Sequence, residues 1–260
     1  MSDRRGDGPA PVLRVRGLVR EFGGFRAVDG VDLDVAEGGV HALVGPNGAG
    51  KTTLFNLLTG FVKPTAGSVV LAGRRELAGR RPEEIARWGV ARSFQITSLF
   101  AGLSPREHVE LALASSSGLG WRFWRSDRAL GGFTGRAGDL LEQVGLEALA
   151  DVPAGSLSYG SKRALELALA LALDPKVLLL DEPTAGMGVE DIDRTIELIQ
   201  RIRAGRTVVL VEHNMSVVAS LADTVTVLQH GRVLAEGPYA DIRHDPRVVA
   251  AYLGDAHAER

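Results

Sequence analysis

The sequence predicts an α/β fold, a mostly parallel sheet covered by helices, and three observations carry that prediction. Short apolar runs alternate with helical patterns along most of the chain, as happens when parallel strands are joined by helical crossovers. A glycine-rich segment from Gly45 to Gly50 falls between one apolar run and a helix, and Val177–Leu180 reads as a buried strand ending on two carboxylates. Between about Ile96 and Ser156 helical patterns dominate, so a helical block interrupts the alternation.

The elements follow in order. Val12–Leu18 and Val28–Val35 alternate apolar with polar residues and predict half-buried strands, with Gly30 as a bulge or bend. Val40–Val44 predicts a short strand, Thr53–Leu58 a helix, and Gly67–Gly73 a strand between turn residues. Pro82–Trp88 opens on Pro, Glu, Glu, a sound helix start, and Val90–Phe94 is another strand. The helical block comprises Pro105–Ala114 and Arg136–Leu149, separated by a loop rich in Ser, Gly and Arg. Alternation then resumes with helix Val189–Ile202, strand Thr207–Val211, helix Met215–Leu221, and strands Val225–Leu228 and Val233–Ala235 joined through His230-Gly231.

Of the 260 residues 45% are hydrophobic and 24% charged, the balance of an ordinary globular protein. The net charge of −2 gives no bulk attraction to nucleic acid or anionic lipid. There is no cysteine, which rules out disulfides and thiolate metal sites. Residues 1–11 are polar, lack the apolar core of a signal peptide, and are expected to be a disordered tail. No stretch reaches the roughly 20 apolar residues of a membrane helix, so a membrane role would have to come from a partner. No internal repeat is present, which argues for one unit and not a tandem pair.

Gly45-Pro-Asn-Gly-Ala-Gly-Lys51-Thr52 fits G-x-x-x-x-G-K-[ST] in the strand-to-helix context that pattern needs. Glycines let backbone N–H groups curl around phosphate oxygens, and the helix start adds partial positive charge. Lys51 is placed to reach β- and γ-phosphates, and the Thr52 hydroxyl to ligate Mg²⁺. The expected nucleotide contacts are Gly45, Asn47, Gly48, Ala49, Gly50, Lys51, Thr52 and Thr53. The second motif, Val177-Leu-Leu-Leu-Asp181-Glu182-Pro183, delivers two carboxylates at the C-terminal end of a strand, where α/β sheets bind ligands. Asp181 would hold Mg²⁺ through water, and Glu182 would polarise the attacking water as general base. Together the motifs define a P-loop NTPase, and no Asn-Lys-x-Asp element for guanine accompanies them.

Leu157-Ser158-Tyr159-Gly160-Ser161 resembles the signature sequence of ATP-binding cassette (ABC) ATPases, whose usual form is Leu-Ser-Gly-Gly-Gln. Ser158 and Gly160 open a helix whose start points at an anion. The resemblance implies that this anion is the γ-phosphate held by the other subunit of a head-to-tail dimer. It further implies that Gln95 is the Q-loop glutamine sensing Mg²⁺ and nucleotide, that His213 is the switch histidine, and that Phe22 stacks on adenine. The catalytic set is then Lys51, Gln95, Glu182 and His213, with Thr52, Gln95 and Asp181 as Mg²⁺ ligands and ATP as the nucleotide. The expected fold becomes a P-loop ABC ATPase core (12–96 and 157–260), carrying an antiparallel β subdomain and a helical insertion (97–156).

Finer resemblance is to one ATP-binding subunit of branched-chain amino acid importers. It rests on Phe22-Gly-Gly, Leu54-Phe-Asn-Leu-Leu-Thr-Gly-Phe61, Gly89-Val-Ala-Arg-Ser-Phe-Gln95, the Tyr159 variant of the signature, and the stretch Asp245–Gly254. The resemblance implies membrane permease subunits and a second ATP-binding subunit as partners, and a cytoplasmic place on the inner face of the membrane. Relatives that import urea or amides, or extract lipopolysaccharide, keep those substrates open. Soluble ABC ATPases acting on nucleic acid or ribosomes, a further alternative, typically carry two cassettes or long insertions, whereas this chain reads as one cassette with no basic surplus. Leu99, Phe100 and Leu103 are candidate anchors for a permease helix, equally readable as core. Trp121, Phe123 and Trp124 with Arg122 and Arg125 form an aromatic-basic cluster that fits either a locally packed loop or a membrane-side contact. The chain departs from the family at Ser161, where the signature has Gln, and at Gly188, where the D-loop has Asp.

Overall fold

A computed structural model describes residues 11–93, 99–117 and 132–255. The chain begins with a long hairpin, β1 (Pro11–Phe22) and β2 (Phe25–Ala36), followed by β3 (Val40–Val44) and helix α1 (Lys51–Leu58). Next come β4 (Ala66–Leu71), β5 (Arg75–Glu76), α2 (Pro82–Arg87) and β6 (Val90–Ser93). The helical block contains α3 (Pro105–Ser116) and α4 (Thr134–Gln143), then α5 (Tyr159–Leu171) leads to β7 (Val177–Asp181). The chain closes with α6 (Val189–Ile202), β8 (Thr207–Val211), α7 (Met215–Leu221), β9 (Thr224–Gln229), β10 (Arg232–Gly237), α8 (Tyr239–Ile242) and α9 (Pro246–Asp255).

Two sheets result. One is antiparallel in the order β2-β1-β4-β5; the other runs β10-β9-β3-β8-β7-β6 and is parallel except for the β9–β10 hairpin. All five residues of β3, β7 and β8 are buried. Side chains alternate across a strand, so Leu178, Leu180, Val208 and Leu210 enter one core with the helices. Leu179, Val209 and Val211 enter a second core with α1 and the antiparallel sheet. Helix α1 thus lies between the two sheets, with Leu54, Phe55, Leu57 and Leu58 at most 1% exposed.

The predicted elements recur with small changes. Gly30 is a bulge: its φ is 70°, and the pairing steps from Leu18↔Val31 to Val19↔Asp29 across it. The expected helix 136–149 is instead two pieces, α4 and a 3-10 turn at Glu147–Leu149. Gly145, at φ 70°, takes the left-handed conformation that ends helices and breaks the periodic pattern. Strand β1 already includes Pro11; residues 1–10 lie outside the described residues, as do Phe94 and Trp121–Arg125. Among the described residues, no helix is long and apolar enough to cross a membrane.

Candidate functional site

The C-terminal ends of neighbouring strands β3, β8 and β7 carry the phosphate loop, His213 and the Asp181-Glu182 pair respectively. Sheet order therefore gathers residues more than a hundred positions apart along the chain.

The loop's glycines are there for two separable reasons. Gly45 (φ 147°) and Gly50 (φ 100°) are pressed against backbone: a Cβ would lie 2.2 Å from the Leu228 carbonyl oxygen and 2.3 Å from that of Ala27. Gly48 (φ 75°) has open space around it and needs glycine for conformation alone. Gly231, in the β9–β10 turn, donates to Ala49 O (3.0 Å) and accepts from Asp29 N–H (2.8 Å), so one turn ties the loop to β2. Arg232 pairs with Asp29 at the same junction. Helix α1 begins at Gly50 without a side-chain cap, which leaves its first-turn amides directed out of the helix end.

Lys51, 6% exposed, curls back so that Nζ donates to Gly45 O (2.6 Å) and Pro46 O (2.8 Å). Burial pushes its pKa down from the usual lysine value, while Glu182 and Asp181 oppose that shift. Thr52 is exposed and Thr53 half-buried; Asn47 is exposed and Ala49 buried.

Asp181, 2% exposed, pairs through Oδ2 with Arg92 on the neighbouring strand β6 at 2.5 Å, and Arg92 also donates to Asn56 Oδ1 at 2.6 Å. Glu182 has φ 48°, and its N–H donates to Val211 O at 2.9 Å. Its Oε1 lies 2.6 Å from His213 Nε2. Thus Lys51, Asp181, Glu182 and His213 are brought together as the sequence suggested, and Gln95 lies outside the described residues.

Ser158 is the N-cap of α5: its Oγ accepts from Ser161 N–H (3.1 Å) and donates to Ser161 Oγ (2.9 Å). The departure at Ser161 thus supplies a hydroxyl that orients Ser158. Tyr159 Oη donates to Ala185 O at 3.2 Å, linking this turn to the segment after Glu182. Beside Gly160, the Asp191 carboxylate would be 3.8 Å from an added Cβ. Gly188 is the N-cap of α6 and offers no side chain for capping.

Phe22 sits at the hairpin tip, 45% exposed, which removes the core reading; the Arg20 guanidinium stacks 4.2 Å from its ring centre. Phe100 is 67% exposed whereas Leu99 packs on the main core, so the candidate anchors divide. Sequence reasoning missed Arg92 and Glu212. A cation inside the buried run of β6 was the available signal for the first. A glutamate directly after the four apolar residues Val208–Val211 was the signal for the second.

A phosphate-cradling loop, paired carboxylates and a histidine on adjoining strand ends define a nucleotide-hydrolysing P-loop enzyme. Residues 28–185, more than half of the chain, match the ABC transporter family, and residues 232–258 match the branched-chain amino acid ATP-binding cassette transporter family. The chain is 41% identical over 254 residues to the high-affinity branched-chain amino acid transport ATP-binding protein LivG of Salmonella typhimurium, covering 95% of this chain and 99% of LivG. The solved ADP conformation of MJ1267, an ATP-binding cassette of an ABC transporter, superposes with a TM-score of 0.82 at 29% identity, covering 94% of this chain and 99% of that one. A dimeric post-hydrolysis state of the cassette MJ0796, bound to ADP and Pi, superposes with a TM-score of 0.71 at 25% identity, covering 87% and 98%. The chain belongs to the ABC transporter family: it is an ATP-binding cassette that hydrolyses ATP.

Proposed function

We propose that this cassette energises an importer of branched-chain amino acids, working as one of two ATP-binding subunits beneath a pair of membrane permeases. The observation that carries the hydrolytic part is the convergence of Lys51, Glu182 and His213 at three adjoining strand ends. The substrate part is supported by similarity to LivG along nearly its whole length and by the C-terminal match at 232–258. The dimeric part is supported by the likeness to the MJ0796 dimer.

Each residue then has a task. Backbone amides of Gly48–Thr53 and the Lys51 ammonium hold the β- and γ-phosphates of ATP, releasing Lys51 from its own loop carbonyls. Phe22 stacks on adenine from the hairpin tip. Glu182 accepts a proton from the attacking water, and His213, bonded to the same carboxylate, keeps it aimed and steadies charge at the γ-phosphate. Ser158 and the Gly160 N–H receive the γ-phosphate of the partner subunit's ATP at the start of α5.

A hydroxyl and a carboxylate are hard oxygen donors of the kind Mg²⁺ takes, so Thr52 and Asp181 fit that ion, with Gln95 as the third ligand expected from the sequence. Bound Mg²⁺ would neutralise charge on the β- and γ-phosphates. Arg92 holds Asp181 in place and offsets its charge. Closure of two cassettes around ATP would pull on the permeases, and phosphate release would reopen them.

The test is uptake of labelled leucine in the native host, comparing wild type with a chromosomal Lys51→Ala strain. Loss of uptake restored by the wild-type gene is the expected result. Unchanged uptake in a host with no second leucine importer would remove the substrate assignment and turn attention to urea and amides.

A further inference from the structure

Glu212 is a carboxylate only 3% exposed, lying between the two loops that carry the hydrolytic pair. Its Oε1 accepts from the Thr184 N–H at 3.1 Å and the Thr184 hydroxyl at 2.7 Å. Its Oε2 accepts from the His213 N–H at 3.1 Å and the Asn214 N–H at 3.3 Å. An ionised carboxylate suits this place because it presents acceptors on both sides and no donor to oppose the amides. Burying it is tolerable only because those lone pairs are filled.

The position matters as much as the bonds. Pairing of β7 with β8 extends to the bond from Glu182 N–H to Val211 O, after which the chains turn apart. Glu182 sits there at φ 48°, a conformation non-glycine residues rarely hold unless their surroundings impose it. Thr184 follows it by two residues, and His213 follows Glu212 directly. We propose that Glu212 is a positioning residue that locks the turn after β7 to the turn after β8, and so fixes His213 Nε2 at 2.6 Å from Glu182 Oε1. It acts through His213. Because Ala185, next to Thr184, accepts from Tyr159 Oη, the same carboxylate also anchors the segment that the signature turn grips.

This inference rests on reading Glu182 and His213 as the hydrolytic pair, and the test separates the two. Glu212→Gln, His213→Ala and the double variant are purified as full-length chains. ATP turnover is followed with MgADP binding and thermal midpoint as folding checks. Glutamine keeps the size but turns an NH2 group toward either the Thr184 donors or the His213 and Asn214 donors. The expected result is a kcat about tenfold lower with KM for ATP changed by less than about twofold, the split of an interaction that matters in the transition state. The double variant should be no slower than the slower single one, because one acts through the other. A wild-type kcat in Glu212→Gln, or effects that multiply in the double variant, would overturn the role of Glu212. A wild-type kcat in His213→Ala would overturn the hydrolytic pair and the positioning role with it. If Glu212→Gln does not fold, Thr184→Val removes the hydroxyl link alone. About a threefold loss of kcat with nucleotide binding intact then supports the proposal, and no loss overturns it.

Discussion

The phosphate loop and the signature turn are both proposed to receive a phosphate, yet the chain builds them from different materials. Around the loop the constraint is backbone against backbone: Gly45 and Gly50 lie where any Cβ would strike a carbonyl of Leu228 or Ala27, and Gly231 stitches the loop to β2. Around the signature turn the constraint is hydrogen bonding by side chains. Ser158 caps α5 through Ser161, Tyr159 reaches Ala185, and Gly160 has room beside it. Steric requirements tolerate almost no substitution, whereas hydrogen bonds at an exposed turn are each modest. The loop half should therefore respond to mutation in an all-or-none way and the signature half by degrees.

The largest effect expected is Gly50→Ala. It combines a left-handed backbone, about 1–2 kcal/mol for a residue with a Cβ, with a 2.3 Å clash against Ala27 O. Loss of nucleotide binding and a lowered thermal midpoint should follow. Gly48→Ala shares the backbone strain but not the clash, so its thermal midpoint should fall far less. Equal damage from the two would break the distinction between conformation and close approach.

Lys51→Ala should come next, with ATP turnover down about a hundredfold or more and the fold retained, because a preorganised charge at the phosphates is lost. Circular dichroism and turnover together check this.

Acid should then weaken the strand that delivers the loop. His41 in β3 is buried, and its Nε2–H donates to Thr226 Oγ1, whose own proton goes to Glu236. Burial lowers its pKa from 6.5 to about 4. The unfolded chain takes up a proton near pH 6.5 while the folded chain resists until about 4. Stability from this group is therefore constant above pH 6.5 and declines as pH falls from 6.5 to 4, by about 3 kcal/mol in all. Denaturant titrations at pH 7 and pH 4.5 measure it, and His41→Gln should flatten the difference.

The smallest effect is expected from Tyr159→Phe, which removes one exposed hydroxyl. ATP affinity should be unchanged and turnover should fall by only a fewfold, consistent with about 1 kcal/mol for a single hydrogen bond. A loss as large as that of Lys51→Ala would erase the contrast between the two halves.

What the sequence made legible follows the same division. The loop, the Asp181-Glu182 pair and the helix start at Ser158 each fit within a few consecutive residues, so spacing exposes them. Short apolar runs placed β3, β7 and β8 to within a residue, because these strands are buried on both faces and bounded by turn residues. Arg92 and Glu212 stayed hidden because their partners Asp181 and Thr184 are 89 and 28 residues away, and only sheet order brings them together. The break in the helix after α4 was overlooked because apolar spacing continues across Gly145, where the backbone does not. Ser161, read as a departure from the signature, is the partner of the Ser158 hydroxyl, a relation visible only once the helix start is built.

In the function proposed above, each hydrolytic site joins the phosphate loop of one chain to the signature turn of another. The most direct test mixes two disabled chains. Lys51→Ala loses its own loop and keeps its signature. Ser158→Asp keeps a good helix cap and puts a negative charge where the phosphate should dock. Alone, each should be nearly inactive; mixed in equal amounts, they should recover turnover, because the mixed dimer contains one site with both halves intact. No recovery despite demonstrated mixed dimers would contradict the shared site and place both halves of each site within one chain.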